Sequence, residues 1–362
     1  MKIQRTYNYN GVSPCYFRTT TFAPYKKAIL QITEQCNLHC KHCFVSAQRN
    51  GEVMNLEVIE KNILPRLLKM NVIKVSLTGG EPFMHPHLLE ICYLLANNDI
   101  ETTICTNGTL VSSNILDKFI KIPKLKFNIS LDGFSYNSHG KFRGMKSSTD
   151  FDKLLSNIQN IGNVGKLNGL LCTPNLFCEE KEFGEICKFG KTNHAKYVLF
   201  NPLSKIGRGQ ESLGFTVNEK IFEKIEESTR CFIDENFEVI YIRFANTKKQ
   251  LLPQCVLGNM FYVFTNGETT LCPYMVFACK NDNSPYPEDQ FIIGNIISED
   301  IDIEEYVENN KLNNIVLKTE CENKERCYGG CHAAKIMNGR KINECDWEFC
   351  PKKEEVNYVY CN

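Results

Sequence analysis

The chain has 362 residues with 42 basic and 42 acidic side chains, so its formal charge is zero and does not favour nucleic acid or an anionic membrane as a partner. Its N-terminus carries no apolar signal segment, and no stretch approaches the roughly 18 consecutive apolar residues of a membrane span, so we predict a cytoplasmic protein. Apolar residues make up 43% of the chain, enough for two domains with their own cores.

The 19 cysteines require a specific explanation. Disulfide-rich scaffolds are usually short, secreted and richer in cysteine, at roughly 8–10% or more. Clustered cysteines in a reducing compartment more often bind metal. The composition therefore predicts metal or iron–sulfur ligation rather than a disulfide framework.

Extended apolar runs alternate with helical segments from residue 28 to about residue 201. Six strands separated by five helices indicate parallel β/α units, whose active sites lie at the carboxyl ends of the strands. The predicted strands are Ala28–Ile32, Val72–Leu77, Glu101–Thr106, Lys124–Ser130, Leu167–Cys172 and Tyr197–Phe200, and the predicted helices are Leu56–Met70, Pro86–Asn97, Ser113–Ile120, Asp150–Ile161 and Glu180–Lys191.

A loop with three cysteines follows the first predicted strand. Cys36, Cys40 and Cys43 are spaced C-x3-C-x2-C, which differs from the paired C-x2-C of zinc ribbons. Thiolates are the usual ligands of iron–sulfur clusters, and three of them would leave the fourth iron of a cubane open to chelate a small molecule. The alternative interpretation is a structural metal knuckle.

Polar motifs end the next three predicted strands. Two glycines after the second strand permit close backbone approach, and a carboxylate beside them can accept from an ammonium group. Each motif alone indicates only a strand-to-helix turn, but their order on consecutive strands favours a functional site. The residues concerned are Gly79, Gly80, Glu81, Asn107, Ser130 and Asp132.

From about residue 28 to residue 209, these motifs resemble the signature of the radical S-adenosylmethionine (SAM) enzymes. The resemblance implies a partial (β/α)6 barrel and a [4Fe–4S] cluster on Cys36, Cys40 and Cys43, whose open iron binds the amino and carboxylate groups of SAM. Reductive cleavage of SAM would then release a 5′-deoxyadenosyl radical.

The resemblance also implies contacts to SAM from the strand ends. Gly79, Gly80 and Glu81 would hold its amino group, while Asn107, Ser130 and Asp132 would lie near its ribose and carboxylate. Arg143 resembles the arginine that reaches the SAM carboxylate, for which a guanidinium fork is suited; a solvated surface arginine is the alternative. Phe44 would pack near the adenine or belong to the core.

After Leu251, short runs, turns and cysteines replace the regular periodicity. Asn266-Gly267 predicts a hairpin turn between Phe261–Phe264 and Thr269–Leu271. A small irregular domain of this kind usually needs a metal or disulfides for stability. Its cysteines include Cys255, Cys272, Cys279, Cys321, Cys327, Cys331, Cys345 and Cys350.

The spacing of these cysteines resembles the SPASM extension of radical SAM enzymes, a small α+β domain that carries two auxiliary [4Fe–4S] clusters. The resemblance implies three [4Fe–4S] clusters in the whole chain. Tetrathiolate zinc would satisfy the same residues and is the alternative. The implied ligands are Cys255, Cys272 and Cys331 for the first auxiliary cluster, and Cys321, Cys327 and Cys350 for the second.

The chain departs from the SPASM pattern at three positions. Lys318 replaces the cysteine expected three residues before the one matching Cys321, and Cys345 is the candidate replacement ligand. The first auxiliary cluster lacks an obvious fourth ligand, so either Cys279 supplies it or one iron stays open to substrate. Pro273 stands where sulfatase-maturing relatives carry an aspartate base, which argues against sulfatase maturation.

We therefore predict four segments: a lead-in over 1–27, the barrel over 28–215, a linking helix and strand over 216–250, and the SPASM domain over 251–362. The predicted function is hydrogen abstraction from a peptide or protein, which forms a thioether or C–C crosslink or an oxidised residue. The alternatives are dehydrogenation or rearrangement of a small molecule, or a non-catalytic iron–sulfur electron carrier or zinc-stapled scaffold.

Two protein partners are expected besides the substrate. A flavodoxin- or ferredoxin-type protein would supply electrons. Many peptide-maturing relatives carry a winged-helix leader-binding domain before the barrel, whereas only residues 1–27 precede the first predicted strand. We therefore expect either a separate leader-binding protein or a small substrate.

Overall fold

A computed structural model describes residues 12–13, 21–244, 251–252, 254–255, 257–313, 315–317, 321, 323 and 327–350. Lys318, most of the predicted lead-in and the end of the predicted SPASM domain lie outside these residues. The strands are β1 (Val12–Ser13), β2 (Lys26–Thr33), β3 (Val72–Gly79), β4 (Glu101–Thr106), β5 (Leu125–Ser130), β6 (Leu167–Cys172), β7 (Tyr197–Phe200), β8 (Glu238–Ile242), β9 (Met260–Val263), β10 (Glu268–Thr270) and β11 (Gly294–Asn295).

Within the described residues, these strands form one eleven-stranded sheet in the order β1-β8-β7-β6-β5-β4-β3-β2-β9-β10-β11. Strands β2 to β8 are parallel to their neighbours, as right-handed β/α crossovers require. The predicted α/β fold class, with a partial (β/α)6 barrel formed by β2 to β7, is confirmed.

Helices follow most of the barrel strands, and the last three lie in the cysteine-rich part of the chain. They are α1 (Leu56–Val58), α2 (Leu64–Lys69), α3 (Leu88–Asn97), α4 (Ser113–Phe119), α5 (Lys141–Arg143), α6 (Ser148–Asn163), α7 (Glu180–Thr192), α8 (Arg208–Glu211), α9 (Glu219–Thr229), α10 (Pro273–Cys279), α11 (Ile303–Asn309) and α12 (His332–Met337).

Strand β2 illustrates how the sequence alternation builds the core. Ala28, Leu30 and Ile32 are fully buried in the main apolar cluster with the helices. Gln31 faces the other side of the sheet, as the period of two in a strand requires, and its Oε1 accepts a 3.1 Å hydrogen bond from the hydroxyl of Tyr262. The sheet therefore has one apolar face and one face with polar positions.

The first predicted helix, Leu56–Met70, is interrupted. A π-helical turn over Ile59–Ile63 separates α1 from α2. Pro65 follows this turn and has no N–H to donate to the carbonyl of residue 61, so a regular α-helical bond cannot form there.

The predicted hairpin around Asn266-Gly267 is confirmed, and it joins the barrel sheet. Strand β9 pairs in parallel with β2 and antiparallel with β10, and Gly267 takes φ of 86° in the turn. The cysteine-rich segment therefore continues directly from the edge of the barrel.

Across the described residues, no helix combines the length and the apolar character that a transmembrane segment requires.

Candidate active site

The three-cysteine loop lies at the carboxyl end of β2. The backbone N–H of Cys36 donates to the carbonyl of Gln48 at 2.7 Å, and that of Lys41 donates to Phe142 at 3.0 Å. Cys36 and Cys40 are buried, while Cys43 is half-buried. The loop is therefore closed on itself through Gln48 and tied to α5 through Phe142, rather than extended into solvent.

Arg208 donates hydrogen bonds to backbone carbonyls of this loop. Its Nε donates to the carbonyl of Cys40 and its Nη1 to that of Ala47, each at 2.8 Å. Its backbone N–H donates to the carbonyl of Cys43 at 3.0 Å. Gly207 has φ of +54°, and a Cβ there would lie 2.5 Å from the Cys43 carbonyl oxygen. Arg208 could not be recognised from the sequence, because no local spacing connects it to a loop about 165 residues away.

Gly79, the last residue of β3, and Gly80 pack directly against the chain that leads into the cysteine loop. The N–H of Gly80 donates to Thr33 and that of Glu81 to Gln35, both at 2.8 Å. A Cβ on Gly80 would lie 2.3 Å from the carbonyl oxygen of Gln35. Glycine at this position therefore permits an approach that any side chain would prevent.

The carboxylate of Glu81 is fully buried and bound by protein donors. Its Oε1 accepts from the hydroxyl of Thr106 at 2.6 Å and from the N–H of Phe83 at 3.1 Å, and its Oε2 accepts from the N–H of Asn107 at 2.7 Å. Burial raises the pKa of Glu81, although these hydrogen bonds act in the opposite direction. Glu81 therefore links the loop after β3 to the end of β4.

Asn107 joins the end of β4 to the cysteine loop. Its Nδ2 donates to Oδ1 of Asn37 at 2.9 Å, and its Oδ1 accepts from the N–H and the hydroxyl of Thr109. Asn37 in turn donates to the hydroxyl of Thr109 at 2.9 Å. The side chain of Asn107 is thus held in one orientation.

Asp132 and Arg143 form a buried ion pair beside Cys40. Nε of Arg143 donates to Oδ2 of Asp132 at 2.5 Å, and the N–H of Thr173 donates to Oδ1 at 2.8 Å. Nη1 of Arg143 lies 3.8 Å from Sγ of Cys40. Asp132 is therefore occupied by protein donors and orients the guanidinium toward the cysteine loop.

His42, which the sequence analysis did not identify as a site residue, lies beside this ion pair. Its ring stacks on Phe142 with a centroid distance of 4.5 Å. Nη2 of Arg143 is 3.3 Å from its Nε2, which accepts if the arginine donates. Burial lowers the pKa of His42 to about 4, although Asp132 opposes this effect. The position of His42 between two of the cysteines was its only signal in the sequence.

Phe44 connects the cysteine loop to α10 in the C-terminal part of the chain. Its ring packs edge-on against Tyr274 at 5.3 Å and against Phe277 at 5.6 Å between centroids. This contact brings the helix that follows Cys272 to the mouth of the barrel.

A cavity of about 230 Å³ lies between these elements. The loop cysteines line it together with residues at the carboxyl ends of the strands, where a parallel sheet places its ligands. Glu81 and Asp132 do not line the cavity, but they accept hydrogen bonds from two residues that do, Asn107 and Arg143. Site residues that the sequence predicted and that line the cavity are Cys36, Cys40, Cys43, Phe44, Gly79, Gly80, Asn107, Ser130 and Arg143.

A larger cavity, of about 550 Å³, lies on another side of the cysteine loop. Most of its charged lining is acidic, from residues such as Glu34, Glu268 and Asp289, and among the described residues no cysteine lines it. The smaller cavity, which contains the thiols and the guanidinium, is therefore the candidate active site.

The donor set of the smaller cavity fits a [4Fe–4S] cluster. Burial raises the pKa of Cys40 to about 12 and also raises that of Cys36, so these thiols are neutral in the absence of a bound cation. Thiolates are the ligands of iron, and metal binding releases their protons. None of the cysteines in the described part of the chain forms a disulfide. Three thiols on one loop match a cubane with an open iron. Cys105 and Cys172 also line the cavity, but they lie on β4 and β6 rather than on the loop.

A second group of cysteines lies in the C-terminal part. Cys272 precedes α10 and Cys331 precedes α12. Burial raises the pKa of Cys272, and the thiols of Cys331 and Cys255 add to this effect, which places the three in one electrostatic neighbourhood. Cys279 lies at the other end of α10, about 10 Å further along the helix, and interacts with Ser284 and Glu288.

The remaining predicted ligands, Cys321, Cys327, Cys345 and Cys350, are half-buried. Among the described residues, no three His, Cys, Asp or Glu side chains converge closely enough to ligate a single metal ion. A cubane binds each thiolate through a different iron, so its cysteines lie further apart than the ligands of one ion.

Comparison with known proteins identifies the family. The model of the Radical SAM superfamily matches residues 30–183. The uncharacterized protein MJ0907 of Methanocaldococcus jannaschii is 36% identical over 259 residues, which cover 68% of this chain and 85% of that protein. The chain therefore belongs to the radical SAM superfamily, as its motifs predicted. It is a SAM-dependent radical enzyme, and the family implies a [4Fe–4S] cluster and SAM.

Two further relatives extend the similarity along the chain. The antilisterial bacteriocin subtilosin biosynthesis protein AlbA of Bacillus subtilis is 26% identical over 351 residues, covering 91% of this chain and 72% of AlbA. The crystal structure of Streptococcus suis SuiB bound to the precursor peptide SuiA has a TM-score of 0.67 at 16% identity, covering 88% of this chain and 74% of SuiB. At that identity the SuiB structure shows a shared fold.

Proposed function

We propose that this enzyme modifies a peptide or protein, forming a thioether or C–C crosslink or an oxidised residue. The observation that carries the proposal is the arrangement around the smaller cavity, where three thiols, a guanidinium and glycine-lined strand ends converge. Two relatives that align with most of the chain support a peptide substrate: AlbA is named for bacteriocin biosynthesis, and SuiB was crystallised with a precursor peptide.

Cys36, Cys40 and Cys43 would hold the cluster that binds SAM. When bound, this cluster supplies the electron that cleaves SAM to a 5′-deoxyadenosyl radical, which abstracts hydrogen from the substrate. Arg143 lines the cavity beside Cys40 and offers its Nη groups to the carboxylate of SAM, because Asp132 already occupies its Nε.

The other cavity residues would orient SAM. Gly79 and Gly80 bring backbone close to the cluster loop, where SAM binds through its amino group. Asn107 and Ser130 offer polar atoms to the ribose, and Phe44 presents an apolar ring to the adenine. Glu81 and Asp132 would act as positioning residues, since protein donors already occupy their carboxylates.

The C-terminal cysteines would hold two auxiliary [4Fe–4S] clusters. Cys255, Cys272 and Cys331 would ligate the first, and Cys321, Cys327, Cys345 and Cys350 the second. Cys279 lies at the far end of α10 from Cys272. This position supports a first cluster in which Cys279 is not a ligand and one iron stays open. Such an iron could bind a substrate thiolate and hold it near the radical carbon.

Two partners complete the proposal. A flavodoxin- or ferredoxin-type protein would reduce the SAM-binding cluster. A separate leader-binding protein would present the peptide if the substrate carries a leader.

The first experiment tests radical generation. Full-length protein is reconstituted anaerobically, reduced with dithionite and mixed with SAM, and 5′-deoxyadenosine is quantified by mass spectrometry. We expect its formation in the wild type and in Cys92→Ala, a buried cysteine of α3 outside the site, and its loss in Cys40→Ala. Peptides encoded near the gene are then added, and the mass of each peptide is measured to detect the loss of two hydrogens. Radical generation with no change in any such peptide, but turnover of a small molecule, would contradict the peptide assignment.

A further inference from the structure

Lys335 is a buried lysine within the cysteine-rich part of the chain. It is only 1% exposed, on α12, four residues after Cys331 and therefore on the same face of the helix. Its Nζ donates a 2.8 Å hydrogen bond to the carbonyl of Ile342. A Cβ on Gly329 would lie 3.0 Å from this Nζ, so the ammonium group is closely surrounded.

Burial lowers the pKa of Lys335, and Asp346 and the thiols of Cys255, Cys345 and Cys331 oppose this effect. Burying an ammonium group is costly unless opposite charge lies close to it. Three of these four groups are cysteines that the proposed function assigns to the auxiliary clusters.

Asp346 is already bound by other donors. Nη1 and Nη2 of Arg243 donate to its two carboxylate oxygens at 2.5 and 3.0 Å, and the N–H of Cys331 donates to Oδ2 at 3.2 Å. Asp346 is therefore shared with Arg243 and is not a partner of Lys335 alone, and the cysteines are the other groups that favour the charged form of Lys335.

We propose that Lys335 is a positioning residue that places an ammonium group beside the first auxiliary cluster and raises its reduction potential. This inference rests on the proposed function, which assigns Cys255 and Cys331 to that cluster. One-electron reduction makes a cluster one unit more negative, and a nearby cation stabilises the reduced form. The cluster then accepts more readily the electron that is released when a substrate radical is oxidised.

The test is a potentiometric titration followed by electron paramagnetic resonance. The full chain carries Cys36→Ala, Cys40→Ala and Cys43→Ala, so that only auxiliary clusters give a signal. Lys335→Met removes the charge, Lys335→Gln removes it but keeps a donor for Ile342, and Lys335→Arg keeps it. Lys280→Met removes an exposed charge from the same part of the chain.

We expect the Met and Gln variants to lower the midpoint potential of one auxiliary signal by at least about 59 mV, a tenfold change in the ratio of reduced to oxidised cluster. The Arg and Lys280→Met variants should match the background. Loss of auxiliary iron in Met and Gln with retention in Arg would also support the inference, because only the charge separates them. Equal potentials in all variants, or loss of iron in the Arg variant as well, would overturn it.

The iron content distinguishes failure of this inference from failure of the proposed function. Two auxiliary clusters correspond to about eight irons per chain in the triple-alanine background. A background without iron overturns the auxiliary clusters and, with them, the role of Lys335. Intact iron with unchanged potentials overturns the role of Lys335 alone.

Discussion

Asp132 Oδ2 accepts a 2.5 Å hydrogen bond from Nε of Arg143, and both side chains are buried. Burial alone would raise the pKa of Asp132, but Arg143, His42 and His139 together outweigh this effect and hold the pKa below its ordinary value. The pair therefore exists as two charges, and the carboxylate fixes the direction in which Arg143 points its remaining donors. Cys40 lies on that side, 3.8 Å from Nη1.

Asp132→Asn should weaken SAM binding by about 10–100-fold, the usual effect of losing a partner that orients a ligand. The amide keeps the shape of the carboxylate but removes the charge that holds Arg143. Binding of SAM to the reconstituted variant is measured by equilibrium dialysis, with the iron content checked first. Asp152→Asn, at an exposed position of α6, is the matched control. Unchanged SAM affinity in Asp132→Asn would contradict the orienting role.

Gly80→Ala should impair loading of the SAM-binding cluster. The added Cβ would lie 2.3 Å from the carbonyl oxygen of Gln35, and backbone rather than a flexible side chain would have to move. Gln35 precedes Cys36, so the displacement passes directly to the first ligand. Iron and sulfide per chain are measured after anaerobic reconstitution, in a background where the proposed auxiliary ligands Cys272 and Cys327 are replaced by alanine.

Gly214→Ala is the control for this change, because a Cβ there meets no heavy atom within 4 Å. It should load iron as the parent does. Equal loading of both alanine variants would show that the loop tolerates the displacement and would argue against close packing at Gly80.

The strands and the motif positions could be predicted because their signals are local. Apolar runs separated by segments of helical periodicity predicted β2 to β7 to within a few residues. The polar residues that follow these strands then meet at one edge, because the strands of the sheet are parallel. The hydrogen bonds from Arg208 to Cys40 and Ala47 could not be predicted in this way. They join segments about 165 residues apart, and an arginine after a glycine carries no sign of its partner.

The hydrogen-bond partners of Glu81 could not be predicted from the sequence for a different reason. The sequence places a carboxylate beside two glycines, and the expectation was a contact to the amino group of SAM. In the structure both oxygens accept from Thr106, Asn107 and Phe83, which the pairing of β3 with β4 brings within reach, and the contact to SAM stays a prediction. Residue type and order predicted the location of Glu81, while its hydrogen-bond partners depended on tertiary packing.

The stability of the metal-free protein should fall in acid partly through His139. Its ordinary pKa is 6.5, and burial lowers it to about 3 in the fold. The unfolded chain therefore binds a proton between these values that the folded chain does not. The stabilisation is fully present above about pH 6.5 and is lost as the pH falls toward 3.

Between pH 7 and pH 5, this group should remove about 2 kcal/mol from the free energy of unfolding. Urea titrations at the two pH values are compared for the wild type, His139→Gln and His194→Asn, the last at an exposed position. The pH dependence should be smaller in His139→Gln only. If all three proteins lose the same free energy, His139 does not titrate between the folded and unfolded states as described.

Cys272→Ser and Cys279→Ser should separate the two ends of α10. Cys272 shares its surroundings with Cys255 and Cys331, so its replacement should lower the iron content by up to one cluster, about four irons. Cys279 interacts with Ser284 and Glu288 instead, and its replacement should leave iron and the electron paramagnetic resonance of the auxiliary clusters unchanged. Both variants are compared in the background that lacks Cys36, Cys40 and Cys43. Equal iron loss from Cys279→Ser would mean that α10 moves to ligate the cluster, and the open-iron assignment would then be wrong.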